Sequence, residues 1–167
     1  TNQTIRLQEP LVPNDSLQLS FDWHYEISLQ SGREGMIDST TYFLAYFYPR
    51  VAVFDDYAGW DRMTFTDGKE FYSDFNDYTV NIMVPKNYIV WGTGTLTTVD
   101  ALLLPDFADR FKRSLTSDDI IHVATKEELA AKKVTIQNEK NTWQFTANDI
   151  PDMAFGLSDH FVWDASS

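Results

Sequence analysis

The side chains able to carry chemistry in this 167-residue chain are few and scattered. The three histidines are His24, His122 and His160, and no two stand at the i, i+4 spacing that puts two ligands on one helix face. They predict ordinary exposed or hydrogen-bonded roles, with His24 on the polar side of an alternating stretch and His160 in a turn after Asp159. Asp55 and Asp56 form a carboxylate pair, but neighbours in an extended chain point to opposite faces, and acid–base work needs two groups that converge. A turn in which these side chains accept from nearby backbone N–H groups is the simpler expectation. Ser114, Ser117 and Ser158 lack a nucleophile-elbow context, and Gly92 and Gly94 lack the third glycine and the helix start of a phosphate loop.

Composition narrows the field further. Thirteen Lys and Arg against 25 Asp and Glu leave a net charge of -12, which repels a phosphate backbone and an anionic membrane, so no nucleic-acid partner is expected. The absence of Cys removes disulfides, thiolate nucleophiles and Cys zinc sites. No apolar run is long enough to span a bilayer, and no charged-then-apolar leader opens the chain, whose first residue, Thr1, suggests a trimmed product. Two short matches to the N-glycosylation acceptor pattern, at Asn2 and Asn14, matter only on a eukaryotic secretory route.

Aromatic residues make up 15% of the chain, which favours strands and large packed faces. At residues 17–27 the sequence alternates strictly, with Leu17, Leu19, Phe21, Trp23, Tyr25 and Ile27 on one side, predicting a long half-buried strand. A loop over residues 31–35 and an aromatic buried strand over 42–48, ending at Pro49, follow. Residues 55–60 and 66–68 are turn-forming clusters. Tyr78, Val80, Ile82 and Val84 alternate up to Pro85, and a further strand runs from Tyr88 through Trp91 to a bend at Gly92 and Gly94.

The period then changes. Phe107, Phe111 and Leu115 recur every four residues and predict a short amphipathic helix over 106–115. Thr125 to Glu128 has the form of a capping box, opening a second helix that ends near Lys133. Val134 and Ile136, with Trp143, Phe145 and Ala147 beyond a polar turn at 138–141, predict a hairpin, and 161–163 a last strand. The expected fold is a single mainly β domain, an antiparallel sheet or sandwich with two short helical insertions.

At positions 46–60 the chain reads YFYPRVAVFDDYAGW, which resembles the W-Y-P-(K/R)-x-A-V-Y-D-x-x-G-W stretch in the N-terminal domain of aminopeptidase N-like zinc peptidases, the gluzincin aminopeptidases, and above all its bacterial members. The likeness continues in order. Glu70, Phe71, Tyr72 and Phe75 resemble E-F-Y-x-(E/D)-F, and Tyr78 to Pro85 resembles Y-x-V-x-I-x-V-P. Gly92 to Leu96 resembles x-x-T-G-x-L, and the segments 142–145, 152–155 and 158–165 are similar to the strands that close this domain. The likeness thus spans about residues 10–165.

The resemblance implies a saddle-shaped β domain packed on a separate catalytic domain. That domain would carry HExxH, a further Glu ligand for zinc, and a G-x-M-E-N-type loop; neither motif occurs in this chain. The implied role is non-catalytic, with zinc only in the parent enzyme. Pro49, Asp55, Asp56, Gly59, Trp60, Glu70, Phe71, Tyr72, Pro85 and Gly94 are the motif positions, implied to be structural. Tyr46, Phe47 and Tyr48 are the implied cleft residues, facing the peptide substrate of the parent. Many relatives carry Gln where this chain has Tyr46, and a phenol is a poorer partner for a substrate ammonium than an amide carbonyl, which points Tyr46 toward an apolar or cation–π wall. Bacterial relatives are often exported, so the implied location is the periplasm or cell envelope.

Two readings from other classes stand beside this one. Tyr46, Phe47, Tyr48, Trp60 and Trp91 suit a sugar-stacking platform in a carbohydrate-binding β-sandwich, if they are exposed and coplanar. Any acidic β domain also suits a purely structural or adhesive role.

Overall fold

A computed structural model describes residues 2–29, 34–64 and 72–167. The fold is mainly β, with several antiparallel sheets and three short helices. By their internal contacts the residues fall into two units, Thr1–Glu26 with Phe47–Asp74, and Ile27–Tyr46 with Phe75–Ser167.

The second unit holds nearly all of the core. Its longest ladder joins β5 (Asn76–Pro85) to β9 (Lys140–Ile150), with the short β7 (Thr95–Leu96) on the other side of β9. The register sets Val80 opposite Phe145 and Ile82 opposite Trp143, so the apolar residues of both strands fall on one face. Trp143 and Phe145 are buried there, Trp143 completely. The alternation read over 78–84 is thus matched by a strand whose inward residues are buried or half-buried.

A four-stranded sheet has the order β1 (Gly35–Asp38), β2 (Thr41–Leu44), β10 (Phe155–Ser158) and β6 (Ile89–Gly92). β10 lies between strands drawn from positions more than sixty residues earlier, an antiparallel arrangement that no local turn dictates. Ile89, Val90 and Phe155 are buried in it. The third pair joins β8 (Ile121–Ala124) to β11 (Trp163–Ala165).

Two of the three helices follow the sequence closely. α2 (Pro105–Ser114) starts on a proline, whose missing N–H costs nothing in the first turn, and ends on Lys112 and Arg113, which oppose the negative end of the helix dipole. It buries Phe107 and Ala108. Leu115 caps the C-terminus and is exposed, so the apolar stripe is one residue shorter than its four-residue period suggests.

α3 (Lys126–Ala130) opens on the expected capping box, with the Glu128 N–H donating to Thr125 Oγ1 and the Thr125 N–H to Glu128 Oε2. Glu128 also accepts from Arg110 Nη1 at 2.9 Å, tying α3 to α2, and the Arg110 guanidinium lies 4.9 Å from the Phe107 ring centroid. The Thr125 N–H holds the Glu128 carboxyl below its ordinary range, against partial desolvation and with help from Arg110. α3 ends at Ala130, short of Lys133, and a third helical turn, α1 (Val99–Leu102), precedes α2.

Three expectations need correction. The alternating stretch 17–27 is irregular and forms no ladder with any described strand, and its six apolar side chains are between 38% and 51% exposed. Alternation fixes which side chains share a face, but a strand also needs a neighbouring edge to satisfy its backbone.

The hairpin expected around 138–141 does not form. Residues 134–136 bond instead to the chain after α1, through Leu104 N–H to Val134 O and Ile136 N–H to Leu102 O, while β9 takes the longer apolar face of β5. The last strand begins only at Trp163, because Ser158 Oγ accepts from the N–H groups of His160 and Phe161 and holds that stretch in a turn.

In the first unit the main regular element is a hairpin of β3 (Phe54–Asp55) and β4 (Gly59–Trp60). Among its described residues Val53 is the one buried hydrophobic, and Leu17, Phe21, Trp23, Tyr57 and Trp60 are all exposed.

Candidate functional site

The stretch 46–60 shapes its aromatic side chains through simple backbone rules. β2 stops at Leu44, and Tyr46 adopts φ 56°, a left-handed conformation that a bulky residue takes only under constraint. This break ends the aromatic strand expected through Tyr48. Phe47 and Tyr48 are half-buried and meet edge-to-face, with centroids 5.1 Å apart and planes at 72°. The Phe47 carbonyl accepts from Trp23 Nε1 at 2.9 Å. Arg50 reaches back toward Tyr48, its guanidinium carbon 6.0 Å from the ring centroid, and donates to Ser73 Oγ at 2.6 Å. Pro49 is exposed between them.

Downstream, Asp55 Oδ1 accepts from the backbone N–H groups of Tyr57 and Ala58, at 3.1 and 2.5 Å. Gly59 follows with φ 75°, which lets the chain reverse and set Phe54 opposite Trp60. Those two rings also meet edge-to-face at 5.1 Å. Asp56 is exposed, so of the carboxylate pair expected to bond the turn's N–H groups Asp55 does so and Asp56 is a surface charge. Tyr72 is exposed, while Glu70, Phe71 and the turn at 66–68 lie outside the described residues.

In the second unit, Pro85 and Gly94 sit at a strand end and a tight turn. Pro85 closes β5 opposite Lys140. Gly94 has φ 92°, and a Cβ there would stand 2.4 Å from the Thr146 carbonyl oxygen. Trp91 is half-buried and packs edge-on against Trp163, with centroids 6.3 Å apart. The pairs Phe47–Tyr48, Phe54–Trp60 and Trp91–Trp163 thus all meet at steep angles, between 66° and 77°.

One polar cluster was not legible in the sequence. His160 Nδ1 lies 2.8 Å from Asp159 Oδ1 and 3.3 Å from Ser158 Oγ, and its Nε2 lies 3.5 Å from Asp38 Oδ2. Thr40 bonds Asp38 through both its N–H and its hydroxyl, and the buried Ser158 hydroxyl meets that of Thr41 at 3.0 Å. Asp38 and His160 are 122 residues apart, and only the pairing of β2 with β10 brings them together.

The Thr40 N–H holds the Asp38 carboxyl below its usual range, against slight desolvation and with help from Thr41, His160 and the Thr40 hydroxyl. Partial burial pushes Asp159 up, but its bonds to His160 and Thr40 outweigh that and leave it lowered. Burial raises the Tyr88 phenol, reinforced by Tyr42, Asp159 and Asp38.

These shifts set a pH dependence. A carboxylate whose folded pKa is depressed stabilises the fold above its unfolded pKa of 3.8, and that contribution disappears as pH falls through the folded value. Denaturant unfolding should therefore find Asp159→Asn less stable than the parent chain at pH 6, with the gap closing at pH 3. A gap that persists undiminished at pH 3 would assign the loss to something other than ionisation.

His122 pairs separately with Asp164 at 2.7 Å, and His24 is exposed. Among the described residues, no three His, Asp or Glu side chains come together as a metal site, and no helix is long and apolar enough to cross a membrane. The chain matches no known family model, and neither a curated protein nor a solved structure shows significant similarity to it.

Proposed function

We propose that this chain is the non-catalytic N-terminal β domain of a zinc aminopeptidase of the aminopeptidase N type. In this reading the parent enzyme removes N-terminal residues from peptides, and this domain packs on its own C-terminal catalytic domain and walls one side of the substrate cleft. The observation that carries the reading is the turn at 55–60. Asp55 and Gly59 of the resembling stretch perform two distinct backbone tasks there, capping N–H groups and supplying a positive φ, with one residue more between them than in D-x-x-G-W. Gly94 in a later resembling segment does the same kind of work. Residues set in family order and each required by the local backbone support a shared fold more strongly than an arbitrary string match.

Among the described residues no His, Asp or Glu cluster suits a catalytic zinc, and in this reading the metal and its activated water belong to the catalytic domain. Tyr46, Phe47 and Tyr48 supply apolar and aromatic surface to the cleft and no group for the reaction itself.

Sequencing the gene beyond the codon for Ser167 tests the proposal. An in-frame HExxH with a downstream Glu ligand is the expected finding, and its absence sinks the reading. The purified chain is also expected to release no amine from aminoacyl reporters; chelator-sensitive turnover would show that the active site has been misplaced. Quenching of Trp60 fluorescence by a glycan panel would instead favour the carbohydrate-binding alternative, which the exposure of Trp60 leaves testable.

A further inference from the structure

The four-stranded sheet carries an open slot. The register sets Gly156 of β10 directly between Phe43 of β2 and Trp91 of β6, so one row across the sheet reads aromatic, glycine, aromatic. A glycine there lets a neighbouring ring approach the β10 backbone where a side chain would otherwise stand. The Phe43 ring leans over it, with Cε1 3.0 Å from where a Gly156 Cβ would be. Phe161 and Val162, exposed in the turn before β11, line the same slot, as does Ser158.

The cavity holds about 210 Å³ and is mostly apolar. An apolar cavity of about 150 Å³ takes up benzene, whereas drug-sized ligands need roughly 300 Å³ or more. This slot therefore fits one aromatic or branched aliphatic group presented by a larger molecule.

Charge identifies the presenter. The Ser158 hydroxyl that lines the slot lies 3.3 Å from His160 Nδ1, and Asp159 and Asp38, the latter from the end of β1, reach the same imidazole. Thr40, Thr41, Tyr42 and Tyr88 are the other polar groups of this cluster, and none brings a positive charge. Next to the slot, through Ser158, there are thus two carboxylates against one histidine, on a chain of net charge -12. Such a field attracts cationic segments and repels acidic ones.

From these features we infer that the slot at Phe43, Gly156 and Trp91 is a docking site for a polypeptide segment that presents an aromatic side chain flanked by Lys or Arg. The aromatic group fills the slot beside the Phe43 ring, between Trp91, Phe161 and Val162, and the flanking cation lies near Asp38 and Asp159. This site stands independently of the aminopeptidase reading.

Amide and indole NMR spectra of the full chain test the inference with capped Lys-Phe-Lys, capped Glu-Phe-Glu and maltotriose as probes. The basic peptide is expected to shift the Gly156 amide and the Trp91 indole signal saturably, with the acidic one at least about tenfold weaker. Val162→Lys, at a half-exposed position outside any strand, should keep the fold and weaken the basic peptide by about tenfold through like-charge repulsion. Equal response to both peptides, no shift at Gly156, saturation by maltotriose alone, or unchanged affinity in a folded Val162→Lys chain would each overturn it.

Discussion

Gly94→Val should destabilise the fold by about 3 kcal/mol or more, the combined effect of a disfavoured backbone region and a steric clash. Gly94 sits at φ 92°, where a β-branched residue is strongly disfavoured. Relaxing φ alone does not help, because a Cβ would lie 2.4 Å from the Thr146 carbonyl oxygen and 2.8 Å from Ala147 Cβ. Thr146 pairs with Thr95 in the ladder between β7 and β9, so moving that carbonyl means breaking sheet hydrogen bonds. Chemical denaturation of the variant measures the loss. A cost below about 1 kcal/mol, the ordinary penalty of a surface change, would mean that the turn from β6 into β7 deforms freely.

The second large effect is at Trp143. It is completely buried on β9, opposite Ile82, and its ring lies 6.2 Å from that of Trp163, which in turn contacts Trp91 and Phe111. Truncation to Ala should cost about 3–5 kcal/mol, since it removes the transfer free energy of the indole and opens a cavity among rings that cannot all collapse into it. Trp143→Phe separates packing from polarity. The indole Nε1 has no hydrogen-bond partner among the described residues, and an unpaired buried donor costs about 1–3 kcal/mol. Replacing it with Phe removes that penalty while keeping most of the ring, so the Phe variant should lose far less than the Ala variant. Equal losses in thermal and denaturant unfolding would indicate that Nε1 is in fact satisfied, for example by a bound water.

Local sequence chemistry was legible wherever a few neighbouring residues settle their own backbone. Asp55 and Gly59 form their turn, Pro105 starts its helix, and Thr125 with Glu128 closes a capping box, because each solves a hydrogen-bond or φ problem within four residues. The alternation of 78–84 also marked a true strand. The same pattern over 17–27 misled, since periodicity says which side chains share a face and nothing about whether another edge lies alongside.

The candidate sites divide in the same way. The aromatic stretch 46–60 and its turn were visible as a string, whereas the left-handed break at Tyr46 and the steep angles between the rings were not. The slot at Gly156 and the cluster around His160 had no sequence signature at all. By itself the sequence determined a mainly β chain, its turns and caps, an acidic surface and a resemblance carried by ordered motifs. Tertiary structure alone decided that β10 would lie between β2 and β6, which sets a glycine between two distant aromatics and Asp38 beside His160. The physical reason is that strand neighbours are chosen by burial over the whole chain, and that choice is invisible to any local window.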